Sequence, residues 1–185
     1  KPAHIVKLDS YYIAETQVTQ DLWQAVMENN PSYFKGENLP VIGVKWNDCQ
    51  EFIKKLNIIT GMSFSLPTEA QWEYAARGGS KSKGYRFSGS DVLDEVAWYN
   101  DNTTWNEIYQ VATKKANELG LYDMSGNVCE WCNDWFDENY YSNSSDDNPI
   151  GPLSGYFHVL RGGCCEDGVW NCQVSSRRNS VINHF

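Results

Sequence analysis

The sequence predicts an α+β body, with few helices set on small antiparallel sheets and much of the chain in irregular loop. Three observations predict it. Helical periodicity stops at Gly79. Beyond that point turn residues dominate, in "SKSKG", "SGSD", "NDNTTW" and "SNSSDDNPIGPLSG", with short aromatic stretches between them. No heptad and no internal repeat organises the chain. Its 185 residues, 41% of them apolar, suffice for one domain spanning 1–185 with a buried core.

The elements follow in order. "TQDLWQAVMEN" opens on Thr19, a side-chain cap for the first orphan amides, and puts Leu22, Trp23, Val26 and Met27 on one face. "WNDCQEFIKKLNIITG" takes Asn47 or Asp48 as cap, carries the stripe Cys49, Phe52, Ile53, Leu56, and stops at Gly61. In "LPTEAQWEYAARGG", Pro67 and Thr68 open a helix, Trp72, Ala75 and Ala76 face inward, and Gly78-Gly79 ends it. Short strands are expected in "VAWYN", "GLYDM", "VCEWCNDW" and "FHVLRGG". The tail from Gly168 to Phe185 shows neither helical nor alternating period, and "SNSSDDNP" reads as a mobile surface loop.

The formal charge is −9 and no basic block is present, which argues against nucleic acid and anionic membranes as partners. No stretch approaches the 18 apolar residues of a membrane span. The chain opens mid-pattern at Lys1, as expected if a leader or lipid anchor has been removed.

Six cysteines are present: Cys49, Cys129, Cys132, Cys164, Cys165 and Cys172. Cys129-Glu-Trp-Cys132 has the C-x-x-C spacing, but no second pair or paired histidine completes a zinc set. A thioredoxin-like motif needs a strand before it and a helix after, where Gly126-Asn127 predicts a loop. The cysteines read as buried small hydrophobes or as one or two bridges.

Several runs are specific: "ETQVTQDLW", "NPSYF", "LPTEAQWEYAARGG", "NELGLYDMSGNVCEWCNDW" and "VLRGG", in that order. Together they resemble the formylglycine-generating-enzyme/sulfatase-modifying-factor family over nearly the whole chain. The resemblance implies a C-type-lectin-like fold. That fold serves copper-dependent formylglycine generation, iron-dependent sulfoxide synthesis, and ligand display by variable proteins diversified by retroelements, so the site must decide between them.

Formylglycine enzymes of this family carry two copper(I)-binding cysteines after the "GG". Cys172, nine residues past Gly163, matches the second; the first falls on Asp167, a hard ligand unsuited to copper(I). Cys164 and Cys165 come too early. Iron chemistry needs several imidazoles, and His4, His158 and His184 show no ligand spacing, with His4 expected to make a structural hydrogen bond. Neither copper nor iron is expected. No G-x-S-x-G occurs, and Asp146-Asp147 reads as solvated loop charge.

The resemblance is therefore closest to a retroelement-diversified variable protein: a non-enzymatic display domain with 161–185 as its variable ligand-binding segment. Arg161, Gly162, Gly163, Cys172, Val174 and Arg177 keep the family character while the residues between depart from it. Adenine mutagenesis of Asn codons cannot yield Glu, Lys, Gln, Trp or Met. From Cys164 to Phe185 only Glu166, Trp170 and Gln173 are of those types. Cys164, Cys165, Val169, Val181, Ile182 and Phe185 would give apolar contact. Asp167, Asn171, Ser176, Arg178, Asn179, Asn183 and His184 would give polar contact, with Gly168 and Ser180 completing the segment. Trp170 reads as a packed anchor. The alternative is a formylglycine-type oxidase in which Cys172 binds copper(I) with Cys164 or Cys165.

The family's calcium site carries over to "DMSGNVCE": Asp123 and Glu130 with side-chain oxygens, Gly126 and Val128 with carbonyls. Asp123 and Glu130 alternatively cap and pair locally. The expectation is a monomer at the cell surface or secreted, with a structural Ca²⁺ and a protein or other surface ligand that varies between copies.

Overall fold

The computed structural model describes residues 3–104 and 107–181. Its main elements are α1 (Gln20–Met27), α2 (Trp46–Thr60), α3 (Glu69–Ala76), a single turn α4 (Leu93–Val96), and strands β1 (Glu130–Trp135), β2 (Phe157–Arg161) and β3 (Arg178–Val181). The strands form one antiparallel sheet in the order β1-β2-β3.

Local chemistry sets the helix ends. Thr19 Oγ1 accepts from Leu22 N at 3.3 Å and starts α1. At α3 the cap is reciprocal: Thr68 Oγ1 accepts from Gln71 N, and Gln71 Oε1 accepts from Thr68 N at 2.9 Å. Gly61 and Gly78 take left-handed φ of 69° and 86°, which ends α2 and closes the turn after α3 without a Cβ clash. The α2 cap differs from expectation. The N-cap is Lys45, and Asp48 sits three residues in, accepting from Lys45 N at 2.8 Å.

Three apolar clusters hold the elements together. Trp23 of α1 stacks on Phe52 of α2 at 4.9 Å, with Val26 and Val41 beside them. Leu22, expected on that face, is 42% exposed. Trp72, Ala75 and Ala76 of α3 pack under the sheet against Cys132, Val159 and Val174. Phe87, Leu93, Val96, Ala97 and Tyr99 surround Cys172. Burying each large side chain contributes about 1.5–3 kcal/mol. His158, on β2, lies between Trp46 and Trp135, each at 3.9 Å, and its Nδ1 donates to the Asp134 carbonyl.

The structure departs from expectation in three further places. "VAWYN" and "GLYDM" are not strands, and α4 ends inside the former. Residues 178–181 are a strand despite their lack of period, because β2 offers an edge on which Arg178, Asn179, Ser180 and Val181 pair. The "SNSSDDNP" loop is tied to the N-terminal segment: Lys7 N donates to Asp146 O at 2.7 Å, and Asn148 N to Lys7 O at 2.8 Å.

Candidate functional site

The site begins where β2 ends. Gly162 and Gly163 take φ of 90° and 72° and turn the chain out of the sheet. A Cβ on Gly163 would lie 2.9 Å from Asn171 O and 3.0 Å from Cys172 Sγ, so the glycine lets the tail fold back on itself. Backbone bonds then pin it to the loop before β1: Gly126 N donates to Gly162 O at 2.9 Å, and Cys165 N to Asn127 O at 2.8 Å.

Asp167 is the hub. Its Oδ2 accepts from Cys164 N at 2.9 Å and from Arg178, and its Oδ1 accepts from Asn171 Nδ2 at 2.8 Å. Cys129 Sγ lies 3.9 Å from Oδ2 and 3.7 Å from Arg178 Nη1. Burial, then the Cys164 charge, raises the Asp167 carboxyl above its ordinary value. The Cys129 thiol and then the Cys165 thiol hydrogen-bond to Cys164 and hold its thiol below the usual range; the same contact pushes Cys129 up.

The tail divides into two faces. Glu166, Trp170, Arg178 and Asn179 are exposed, and Cys164, Gly168, Val169, Asn171, Ser176 and Ser180 are half-buried. Cys165 is 4% and Asp167 9% exposed. That is the reverse of a thiol standing in a contact patch: Cys165 turns inward because its amide is tied to the loop before β1. Trp170, expected to be packed, is 77% exposed, with the Arg86 guanidinium 4.7 Å above its ring. Tyr33, which the sequence did not single out, is 69% exposed beside this face. Its phenol is raised by burial and then by Glu166, Cys165 and Cys164. Ile182, Asn183, His184, Phe185 and the Val181 side chain lie outside the described residues.

Cys172 is fully buried in its apolar cluster, and burial, then the charges of Asp167 and Cys164, pushes its thiol up to about 12. It therefore stays a neutral thiol at ordinary pH. All six cysteines are free thiols, so of the two readings the sequence left open, small hydrophobes or one or two bridges, the bridges are not formed. His4 makes the structural bond expected of it, with Ser144 Oγ at 2.6 Å.

The calcium residues do come together, around a group the sequence did not flag, but Asp123 joins through its backbone carbonyl and not the side-chain oxygen expected of it, because its Oδ2 accepts from Ala112 N at 2.8 Å. Gln17 Nε2 donates to Val128 O at 2.8 Å, Asp123 O at 3.1 Å, Glu130 Oε1 at 3.1 Å and Gly126 O at 3.5 Å. Four oxygens converge on one point, and the amide nitrogen occupies it. Gln17 Oε1 and Asp123 Oδ1 are both buried without a partner. A half-turn of the Gln17 amide would bring Oε1 into the ring as a fifth hard oxygen, so the donor set fits Ca²⁺. Burial pushes the Glu130 carboxyl up to about 7, against hydrogen bonds from Trp72 and Gln17. The buried glutamine in "ETQVT" was the available signal.

Among the described residues, the cluster able to hold a metal through Cys, His, Asp or Glu is Cys129, Cys164 and Asp167; Cys172 is not in it.

A model of the sulfatase-modifying factor enzyme 1-like domain matches residues 1–183. Chaperone protein LppX of Paenibacillus barcinonensis is 37% identical over 179 residues, covering 70% of this chain and 64% of that protein. Formylglycine-generating enzyme of Streptomyces coelicolor is 35% identical over 158 residues, covering 77% and 48%. The chain thus spans less than two thirds of the length of these curated relatives. The solved structure of Treponema denticola variable protein 1 is 34% identical with a TM-score of 0.87, covering 97% of this chain and 82% of that one.

Proposed function

The chain belongs to the sulfatase-modifying factor enzyme 1-like family and has its fold, and from that premise we propose that it is a non-enzymatic display domain whose tail presents a ligand-binding face. One observation carries the reading. At the position where the family's formylglycine enzymes need the first thiol stands Asp167, fully engaged by Cys164 N, Asn171 and Arg178, while Cys172 is a buried neutral thiol. The likeness to a variable protein supports it. Around Asp167 the exposed Glu166, Trp170, Arg178 and Asn179, with Tyr33 at the edge, offer mixed aromatic and polar contact on a braced backbone, which keeps ordering costs small.

The retroelement origin, a ligand that varies between copies, a monomeric state and a surface or secreted location belong to the same proposal. So does a structural Ca²⁺, held by the carbonyls of Asp123, Gly126 and Val128 with Glu130 and a turned Gln17. It would supply no chemistry beyond fixing the loop on which the tail is pinned. The formylglycine reading is favoured by the enzyme relatives and is met by a direct test. A sulfatase-derived cysteine peptide with copper and oxygen should remain unconverted. Conversion that depends on Cys172 sinks the display reading, as would sibling gene copies in which Cys164–Phe185 is invariant while the first half drifts.

A further inference from the structure

We propose that Cys129, Cys164 and Asp167 form a site for a thiophilic divalent cation of the zinc class, held by two thiolate sulfurs and one carboxylate oxygen. The three ligand atoms lie within 4.8 Å of one another. Cys129 Sγ is 3.9 Å from Asp167 Oδ2. A tetrahedral zinc ion with bonds of about 2.3 Å to sulfur and 2.0–2.2 Å to oxygen needs separations of about 3.8 Å between sulfurs and about 3.5 Å between sulfur and oxygen. The atoms need close only modestly.

The backbone already holds the ligands in place. Cys129 immediately precedes β1, and Cys164 follows the Gly162-Gly163 turn. The bonds Gly126 N to Gly162 O and Cys165 N to Asn127 O clamp those two segments together. Asp167 is fixed by Cys164 N, by Asn171 Nδ2, and by its own carbonyl accepting from Asn100 N at 3.1 Å.

Charge closes as well. Loading forms two metal–sulfur bonds, and each thiol proton the pair still holds leaves to solvent. Two thiolates and a carboxylate carry three negative charges. The ion supplies two positive charges and Arg178, which touches both Asp167 and Cys129 Sγ, supplies the third. Three protein ligands leave a fourth position for water. Sulfur ligands separate this site from the all-oxygen calcium ring, and it does not depend on the display reading.

The test uses the whole reduced chain, without oxygen, titrated with zinc against a chromophoric chelator. The expected result is one tight equivalent. Cadmium in place of zinc should give a sulfur-to-metal absorption scaled for two thiolates. Cys129→Ser and Cys164→Ser should each weaken binding by ~100-fold, and Cys49→Ser, on α2, should not. Should a serine variant fail to fold, zinc protection of Cys129 and Cys164 from alkylation in the wild-type chain decides. Unchanged affinity in either folded serine variant, alkylation of both thiols despite bound zinc, or a Cys129–Cys164 disulfide forming in air with equimolar zinc present would each overturn the proposal.

Discussion

Gln17 offers the sharpest test of how the loop before β1 is held. Its amide is the common donor to Val128 O, Asp123 O and Glu130 Oε1, at 2.8, 3.1 and 3.1 Å, with Gly126 O at the 3.5 Å limit. Gln17→Met keeps the length of the side chain and removes the donor. Three acceptors lose their partner in a site where Gln17 is 7% exposed. At about 1 kcal/mol each, the low end for a buried unsatisfied group, the variant should lose about 3 kcal/mol in EDTA. Gln17→Glu tests the ring itself. Without metal it sets a carboxylate against three carbonyls and Glu130, and should lose at least as much. Calcium at about a hundred times its Kd should then return about 2.7 kcal/mol. Urea unfolding followed by tryptophan fluorescence, with EDTA and with calcium, reads both. A Gln17→Met loss under about 1 kcal/mol in EDTA refutes the amide's role. A Gln17→Glu variant no more responsive to calcium than wild type refutes the hard-cation reading of the ring.

Three further outcomes are expected. Arg161→Met removes a fully buried cation that serves Glu73, Glu69 and the carbonyls of Ser176 and Val174, so thermal or urea unfolding should show a loss of about 3–5 kcal/mol; under about 1 kcal/mol would mean the charges are relieved otherwise. Burial raises the Asp134 carboxyl from 3.8 to about 7, so the folded state holds the extra proton and stability falls as pH rises between those values, by up to about 4 kcal/mol. Asp134→Asn can still accept from Glu69 N, and its stability difference from wild type should grow in its favour across that window; Glu130 titrates in the same range and cancels in the difference. Trp170→Ala should change stability by less than about 0.5 kcal/mol, since the ring is exposed; a loss above about 1.5 kcal/mol would restore it as a packing anchor.

What could be read from the sequence was local. The start of α3 was legible because its cap, its inward Trp72 and its glycine stop lie within one short run. The same holds for the stop of α2 at Gly61. Strand β3 was not legible, because Arg178, Asn179 and Ser180 have little strand preference and pair only because β2 presents an edge to them. The tail's thiols were misjudged for the same reason. Read along the chain, Cys129 pairs with Cys132 and Cys164 with Cys165. Along β1, Cys132 points into the core, and the partner that Cys129 meets in space comes from beyond β2.

The split of the tail bears on how a display face could vary without unfolding its carrier. Positions that hold the backbone must be separable from positions that meet a ligand. Here Cys172 and Val174 sit in apolar clusters, and Asp167 ties Cys164, Asn171 and Arg178 together. Changing these would loosen the turn itself. Glu166, Trp170 and Asn179 project outward from that frame, and substitution there removes little packing. Arg178 belongs to both sets, being exposed yet bonded to Asp167, so its exchange should cost more than that of Asn179 beside it. On this account the tolerated variation is narrower than the segment 161–185 as a whole: it falls on outward positions such as Asn179, while Glu166 and Trp170, types that adenine mutagenesis of Asn codons does not yield, stand as constant contacts, and Asp167 behaves as frame although a polar residue in its place on the chain reads as contact.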